Sequence, residues 1–100
     1  MEVYLPREIK LNIGEIFVVK GFINKEISCG ARAIGFFGGR TVRGGGDIDM
    51  VVIKDGIQRG GITSREGIIH ATYIPSDYSS DSIATFAKQI VSQAVWVWEK

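Results

Sequence analysis

The part of the chain that most constrains its fold is a pair of apolar runs, residues 32–37 and 47–53, separated by a basic, glycine-rich loop. Both runs are rich in β-branched or aromatic residues and are bounded by glycine or aspartate, which is typical of strands. A chain with this pattern is expected to form two neighbouring strands. The loop between them then carries its arginine side chains at one end of a sheet.

Two aspartates open the second run. Side chains two positions apart on a strand share a face, so Asp47 and Asp49 are expected to project together while Ile48 enters the core. Neighbouring carboxylates repel each other. Mg²⁺ relieves such repulsion, and it is commonly held by one or two carboxylates together with substrate phosphates. The pair is a candidate metal site, and the alternative is an ordinary solvated turn.

The loop before the aspartates has the residue types of a phosphate site. Gly38 and Gly39 allow a close approach of the backbone to a ligand and can present N–H groups to phosphate oxygens. Arg40 and Arg43 can pair with phosphate groups. Glycine-rich hairpin loops flanked by arginine also occur without a ligand, and both interpretations stay open at this point.

This combination resembles the signature of the minimal nucleotidyltransferases, small members of the DNA polymerase β-like superfamily. Their pattern is a strand ending in Phe-Gly-Ser, then arginine and glycine residues, a short loop, and Asp-x-Asp at the start of the next strand. The segments 37–40, 43–44 and 47–49 follow that order, and the apolar, aromatic residues 94–99 are similar to the end of those proteins.

The resemblance implies an enzyme that binds a nucleoside triphosphate with Mg²⁺ and transfers a nucleotidyl group to an acceptor. It implies that the catalytic carboxylates Asp47 and Asp49 hold the metal. The residues it places around the triphosphate are Gly38, Gly39, Arg40 and Arg43.

The chain departs from the family pattern at three places. Gly39 replaces the serine, the loop before Asp47 is shorter, and the run 68–74 lacks the third carboxylate that the family has on a later strand. His70 stands at about that position, and a neutral imidazole can bind a metal. A degenerate, non-catalytic nucleotidyltransferase is therefore an alternative.

Length and charge restrict the other possibilities. One hundred residues are expected to form a single domain, residues 1–100, and a net charge of +1 provides no general attraction for nucleic acid or an anionic membrane. The single Cys29 cannot form an internal disulfide, which favours a reducing compartment. No apolar run reaches the roughly 20 residues of a membrane span. A cytoplasmic location is expected.

The predicted fold is α/β (α+β), with a mixed sheet of three to five strands packed against a C-terminal amphipathic helix. Residues 68–74 form a further strand that Pro75 ends, and residues 58–67 form a loop or a weak strand about Ile62. Residues 11–27 fit a helix and a strand pair equally well. From Ser82 onwards, apolar residues recur at helical spacing as far as Trp98.

The aromatic end of the chain predicts a partner. On the expected helix, Trp96 and Trp98 lie on opposite sides, so one of them is expected to be exposed and to form a homodimer or protein-partner surface. Two non-catalytic alternatives rest on partial resemblances. Residues 61–71 resemble part of the roadblock/longin-type scaffold modules, which dimerise, and residues 11–14 with 20–21 are similar to a galectin-like β-sandwich binding protein.

Overall fold

The computed structural model describes residues 11–38, 47–57, 62–77 and 84–100. Two helices and five strands lie in this part of the chain. In order they are α1 (Ile13–Ser28), β1 (Ala31–Phe36), β2 (Ile48–Lys54), β3 (Ile62–Glu66), β4 (Ile69–Pro75), α2 (Ala84–Gln93) and β5 (Val95–Glu99). The predicted α+β class with a mixed sheet is confirmed.

The strands form one sheet in the order β3-β4-β2-β1-β5. Strand β2 pairs in parallel with β4, and the other three pairings are antiparallel. The predicted strands at 32–37, 47–53 and 68–74 correspond to β1, β2 and β4. Pro75 belongs to β4, opposite Lys54, so it is the last residue of that strand.

The segment 11–27, which fitted a helix and a strand pair equally well from its sequence, contains most of helix α1, Ile13–Ser28. Its first turn is fixed by a capping box, in which the Glu15 N–H donates to Asn12 Oδ1 at 2.8 Å and the Asn12 N–H donates to Glu15 Oε1 at 3.0 Å. Burial of Val19, Phe22 and Ile23 against the sheet then favours the helix over the β preference of this segment. A galectin-like β-sandwich requires strands here.

Each face of the sheet has its own apolar cluster. On the face that α1 covers, the α1 face, helix residues pack on alternate positions of the central strands: Val19, Phe22, Ile23, Ile34, Phe36, Ile48, Met50, Val52, Ile69 and Ala71. On the opposite face, the α2 face, the cluster comprises Val51, Ile74 and Ile90 with the partly buried Phe37, Ile53, Ala94 and Trp96. The sheet is therefore covered on both sides.

A buried polar cluster joins α1 to the sheet. Glu26 is 4% exposed, and its Oε2 accepts a hydrogen bond of 2.8 Å from the Tyr73 hydroxyl. Its Oε1 lies 3.6 Å from Lys54 Nζ, and the same ammonium lies 5.4 Å from the centre of the Tyr73 ring. A carboxylate removed from water needs such partners. The cluster therefore fixes α1 over β2 and β4.

The turn predicted after β2 is present, and a surface ion pair stabilises it. Gly56 has a φ of +79°. Arg32 donates to Asp55 through Nε and Nη2, and the Ser76 hydroxyl also donates to this carboxylate. These hydrogen bonds, that from Arg32 first, lower the pKa of Asp55, and the hydrogen bond to Asp55 raises the pKa of Arg32.

The C-terminal helix is shorter than predicted. Helix α2 ends at Gln93, and residues 95–99 form the edge strand β5 beside β1. Trp98 pairs with Ile34 and Trp96 with Gly35, with a register shift between them. Trp98 packs on the α1 face and Trp96 on the α2 face, and both are partly buried. The predicted helix at Trp96 and Trp98 is therefore wrong, while the partner surface predicted there stays a prediction.

Neither helix in the part of the chain that the structure describes combines the length and apolarity needed to cross a membrane.

Candidate functional site

The candidate site lies where β1 ends and β2 begins. The antiparallel pairing continues one residue beyond β1, because the Phe37 N–H donates to the Asp49 carbonyl oxygen at 3.1 Å. Gly38 follows with a φ of +82°, a conformation that L side chains rarely adopt. A Cβ at Gly38 would lie 2.8 Å from Asp49 Oδ2. Only glycine allows the backbone to pass this carboxylate so closely.

The parallel pairing of β2 with β4 brings a second side chain to Asp49. His70 is the register partner of Asp49, and both alternate with residues of the α1 face, so they lie on the α2 face. His70 Nδ1 is 3.4 Å from Asp49 Oδ1. The side chains are 40% and 30% exposed, respectively, so the pair is accessible from solvent.

Besides Gly38 and Asp49, Asp47 is the one predicted site residue that lies in the described part of the chain. Asp47 is exposed and precedes β2. No three side chains of metal-ligating type cluster in the part of the chain that the structure describes, so Asp47 does not complete a group with Asp49 and His70. The predicted phosphate residues Gly39, Arg40 and Arg43 lie outside the described residues.

The described residues bring together two donors of metal-ligating type, the Asp49 carboxylate and the His70 imidazole. A two-residue site is too small to enclose a cation, but Mg²⁺ is often bound by one or two carboxylates and completed by phosphate oxygens and water. The Asp49 carboxylate itself occupies the position beside Gly38, since an added Cβ would lie only 2.8 Å from Asp49 Oδ2. Asp49 and His70 are the described residues that would hold the ion.

A second surface, the α1 cleft, lies on the other side of the sheet. This cleft of about 260 Å³ is lined by Phe17, Val18, Gly21, Phe22, Lys25 and Ile69. The Phe17 side chain beside it is 74% exposed, and one helical turn earlier Ile13 is 76% exposed. This surface was not predicted from the sequence. The available signal was Phe17 itself, which lies off the helical stripe of Ile16, Val19, Ile23 and Ile27.

A comparison with models of protein families found no match. Comparisons with curated proteins and with solved structures likewise found no significant similarity.

Proposed function

We propose that the chain binds a nucleoside triphosphate with a divalent cation at Asp49 and transfers a nucleotidyl group to an acceptor. The observation that carries this proposal is the contact between Gly38 and the Asp49 carboxylate. It places a glycine turn directly beside an acidic side chain that is accessible from solvent. The resemblance of residues 37–49 to the minimal nucleotidyltransferases supports the same function.

In this proposal the chain's own residues mainly bind and orient the substrate. The carboxylate of Asp49 provides a metal ligand, and the role of Asp47 as a second ligand is left to the binding test below. The bound cation would neutralise charge on the triphosphate, as metals and positioned cations do in most phosphoryl-transfer sites. Arg40 and Arg43 are proposed to pair with the phosphate oxygens. His70, beside Asp49, fixes the orientation of the carboxylate or joins it as a ligand.

Loss of the Asp49 carboxylate is expected to weaken metal-dependent nucleotide binding. In calorimetric titrations of ATP and GTP, with and without Mg²⁺ or Zn²⁺, Asp49→Asn should weaken binding by about tenfold or more, the cost of losing a charge-assisted contact. Asp47→Asn tests whether the other aspartate of the predicted pair also binds the metal, although it does not group with Asp49 and His70 in the structure. The matched control is Asp55→Asn, which removes an exposed carboxylate at the far end of β2.

The control should bind as the wild type does, once its thermal melt confirms that it is folded. An absence of ATP and GTP binding by the wild type under every condition would refute the enzymatic proposal. Binding that is indifferent to both metal and Asp49 would mean that any nucleotide site lies elsewhere.

The α1 cleft favours a second candidate function, that of a dimerising interaction module. An exposed phenyl ring and a cleft of about 260 Å³ lie on the same surface, so two copies related by a twofold axis can each insert Phe17 into the other's cleft. The cleft suits an aromatic ring, because most of its lining is apolar, including Val18, Phe22 and Ile69. We propose that a second copy of this chain occupies it.

Self-association through this surface predicts that Phe17→Gln weakens the dimer by about tenfold or more, because a buried aromatic anchor is lost. Sedimentation equilibrium over a concentration series measures the effect. Ile13→Gln is the matched control, since Ile13 is equally exposed on the same helix but does not line the cleft. A wild-type chain that remains monomeric at the highest concentration of the series would exclude the dimer. Equal effects of Phe17→Gln and Ile13→Gln would exclude the cleft as the dimer contact.

A further inference from the structure

We propose that the second copy lies antiparallel to the first, with the two α1 helices paired about a twofold axis near Lys20, so that Glu15 of each copy faces Lys25 of the other. This inference rests on the dimer proposed above as the second candidate function, and it specifies how the two copies are arranged. It starts from one side of α1 that has an acid at its first turn, a base at its last turn and lining residues of the α1 cleft between them.

Helical spacing defines this side of α1, which we call the α1 stripe. Glu15, Val18, Phe22 and Lys25 follow one another at intervals of three, four and three residues, so they lie above one another along the helix. The last three of them line the cleft. Glu15 is held at the start of the stripe, because its Oε1 accepts a hydrogen bond of 3.0 Å from the Asn12 N–H. The stripe therefore begins with a positioned carboxylate and ends with an ammonium group.

The stripe is within reach of another chain. Lys25 is exposed, Val18 is 45% exposed and Glu15 is half-buried. Lys25 Nζ lies 5.6 Å from the centre of the Phe22 ring, so the ammonium group lies over the stripe. A second chain that packs on the cleft therefore also meets a charge at each end of it.

Twofold symmetry allows two ways of aligning one α1 stripe with another. In a parallel pair each residue lies level with its own copy, so Glu15 would meet Glu15 and Lys25 would meet Lys25. Like charges facing each other in this way repel. In an antiparallel pair the order of one stripe is reversed, so each Glu15 meets a Lys25 and each Val18 meets a Phe22. Charge complementarity therefore favours the antiparallel pair.

The exposed ring of Phe17 leads to the same arrangement. In a parallel pair Phe17 would lie level with Phe17 of the other copy, about one helical turn from the middle of the cleft. In the antiparallel pair it comes level with the cleft of the other copy, which extends along α1 from Val18 to Lys25. Gly21 leaves space there, because an added Cβ would meet nothing within 4 Å. The register that pairs the charges therefore also brings each ring to the opposite cleft.

The first experiment measures the orientation of the two copies through the natural cysteine. Cys29 is the single cysteine of the chain and is exposed, so a nitroxide spin label attaches at this position alone. It lies nine residues beyond Lys20. At a rise of about 1.5 Å per residue, the antiparallel pair should place the two labels about 30 Å apart, measured by pulsed electron paramagnetic resonance. A parallel pair would place them within about 20 Å, since packed helices lie about 8 to 10 Å apart.

The second experiment reverses the charges. Lys25→Glu alone and Glu15→Lys alone set like charges against each other at both ends of the dimer, so each should weaken self-association by about tenfold in sedimentation equilibrium. An equimolar mixture of the two variants has opposite charges at both ends and should associate within about threefold of the wild-type affinity. The matched control is Lys88→Glu, which makes the same change of charge at an exposed position of α2.

Thermal melts establish first that the variants fold, because Glu15→Lys also removes a capping contact. The recovery in the mixture does not depend on that contact, since a folding defect in one variant would not be repaired by the other.

Three results would overturn the antiparallel arrangement and leave the dimer standing. They are labels within about 20 Å of each other in the wild-type dimer, a mixture that associates no more tightly than each variant alone, and an equal loss of association in Lys88→Glu. A wild-type chain that stays monomeric at every concentration would refute the proposed dimer and the arrangement with it.

Discussion

Lys54→Met is expected to lower the free energy of unfolding by about 3 kcal/mol, because it leaves the buried Glu26 carboxylate without a cation. Lys54 Nζ is 3.6 Å from Glu26 Oε1, an atom that is buried and has no hydrogen-bond partner. Methionine retains the apolar stem of the lysine, so the loss reports on the charge. The expected cost is at the lower end for buried pairs, since the Lys54 side chain is 22% exposed.

Chemical denaturation of the variants, compared with the wild type, measures this cost. Lys20→Met is the matched control: it removes a lysine from an exposed position of α1 and should change stability by less than about 0.5 kcal/mol. The triple variant Glu26→Leu, Lys54→Met and Tyr73→Phe removes the whole polar cluster and should recover most of the loss, since no polar group is left without its partner. A cost below about 1 kcal/mol for Lys54→Met would show that Glu26 does not depend on Lys54.

The strands of the central sheet could be predicted because their sequences contain the information locally. Residues 47–53 alternate between the two faces of the sheet, and the glycines after Phe37 limit where β1 can end. Strand β3 was harder to predict, because Ile62-Thr63-Ser64-Arg65-Glu66 is mostly polar. It is an edge strand, and polar residues are common at sheet edges. Its position in the sheet depends on β4, which local sequence does not reveal.

The candidate site also contains one contact that could be predicted from the sequence and one that could not. A contact between the Gly38 turn and Asp49 follows from a hairpin between two predicted strands. The pairing of Asp49 with His70 does not, because it depends on the parallel register of β2 and β4. Parallel strands are not joined by a tight turn that would fix this register, so packing across the sheet determines it. The sequence marked His70 only through its approximate place in the nucleotidyltransferase pattern.

The end of the chain shows how tertiary structure overrides helical periodicity. The helical pattern continues through Trp98, but Val95-Trp96-Val97-Trp98 consists entirely of residues that favour strands. The free edge of β1 offers this segment a hydrogen-bond ladder, and Val97 becomes buried against the α1 face. Residue propensity and the available sheet edge act together, but only the propensity can be read from the sequence.

The placement of β5 depends on Gly35, and Gly35→Val is expected to lower the free energy of unfolding by about 2 to 3 kcal/mol. A Cβ at Gly35 would lie 2.9 Å from Trp96 Cε3 and 3.0 Å from the Val95 carbonyl oxygen. Neither the indole ring nor the backbone can give way cheaply. The added side chain therefore has to separate β5 from β1, which thermal or chemical denaturation and the change in tryptophan fluorescence can measure.

A control substitution with the opposite expected effect on the free energy of unfolding is available in α1. Gly21→Ala places its methyl group in open space on a helix, so it should stabilise the chain by about 0.5 to 1 kcal/mol.

The cause of the Gly35 effect is tested by Gly35→Ala in the wild type and in a Trp96→Ala background. If the ring is the obstacle, the cost of Gly35→Ala falls when the ring is absent, giving a coupling energy of about 1 kcal/mol. Additive effects would mean that the Val95 carbonyl alone excludes a side chain. A neutral Gly35→Val would mean that β5 does not pack against β1 in this register.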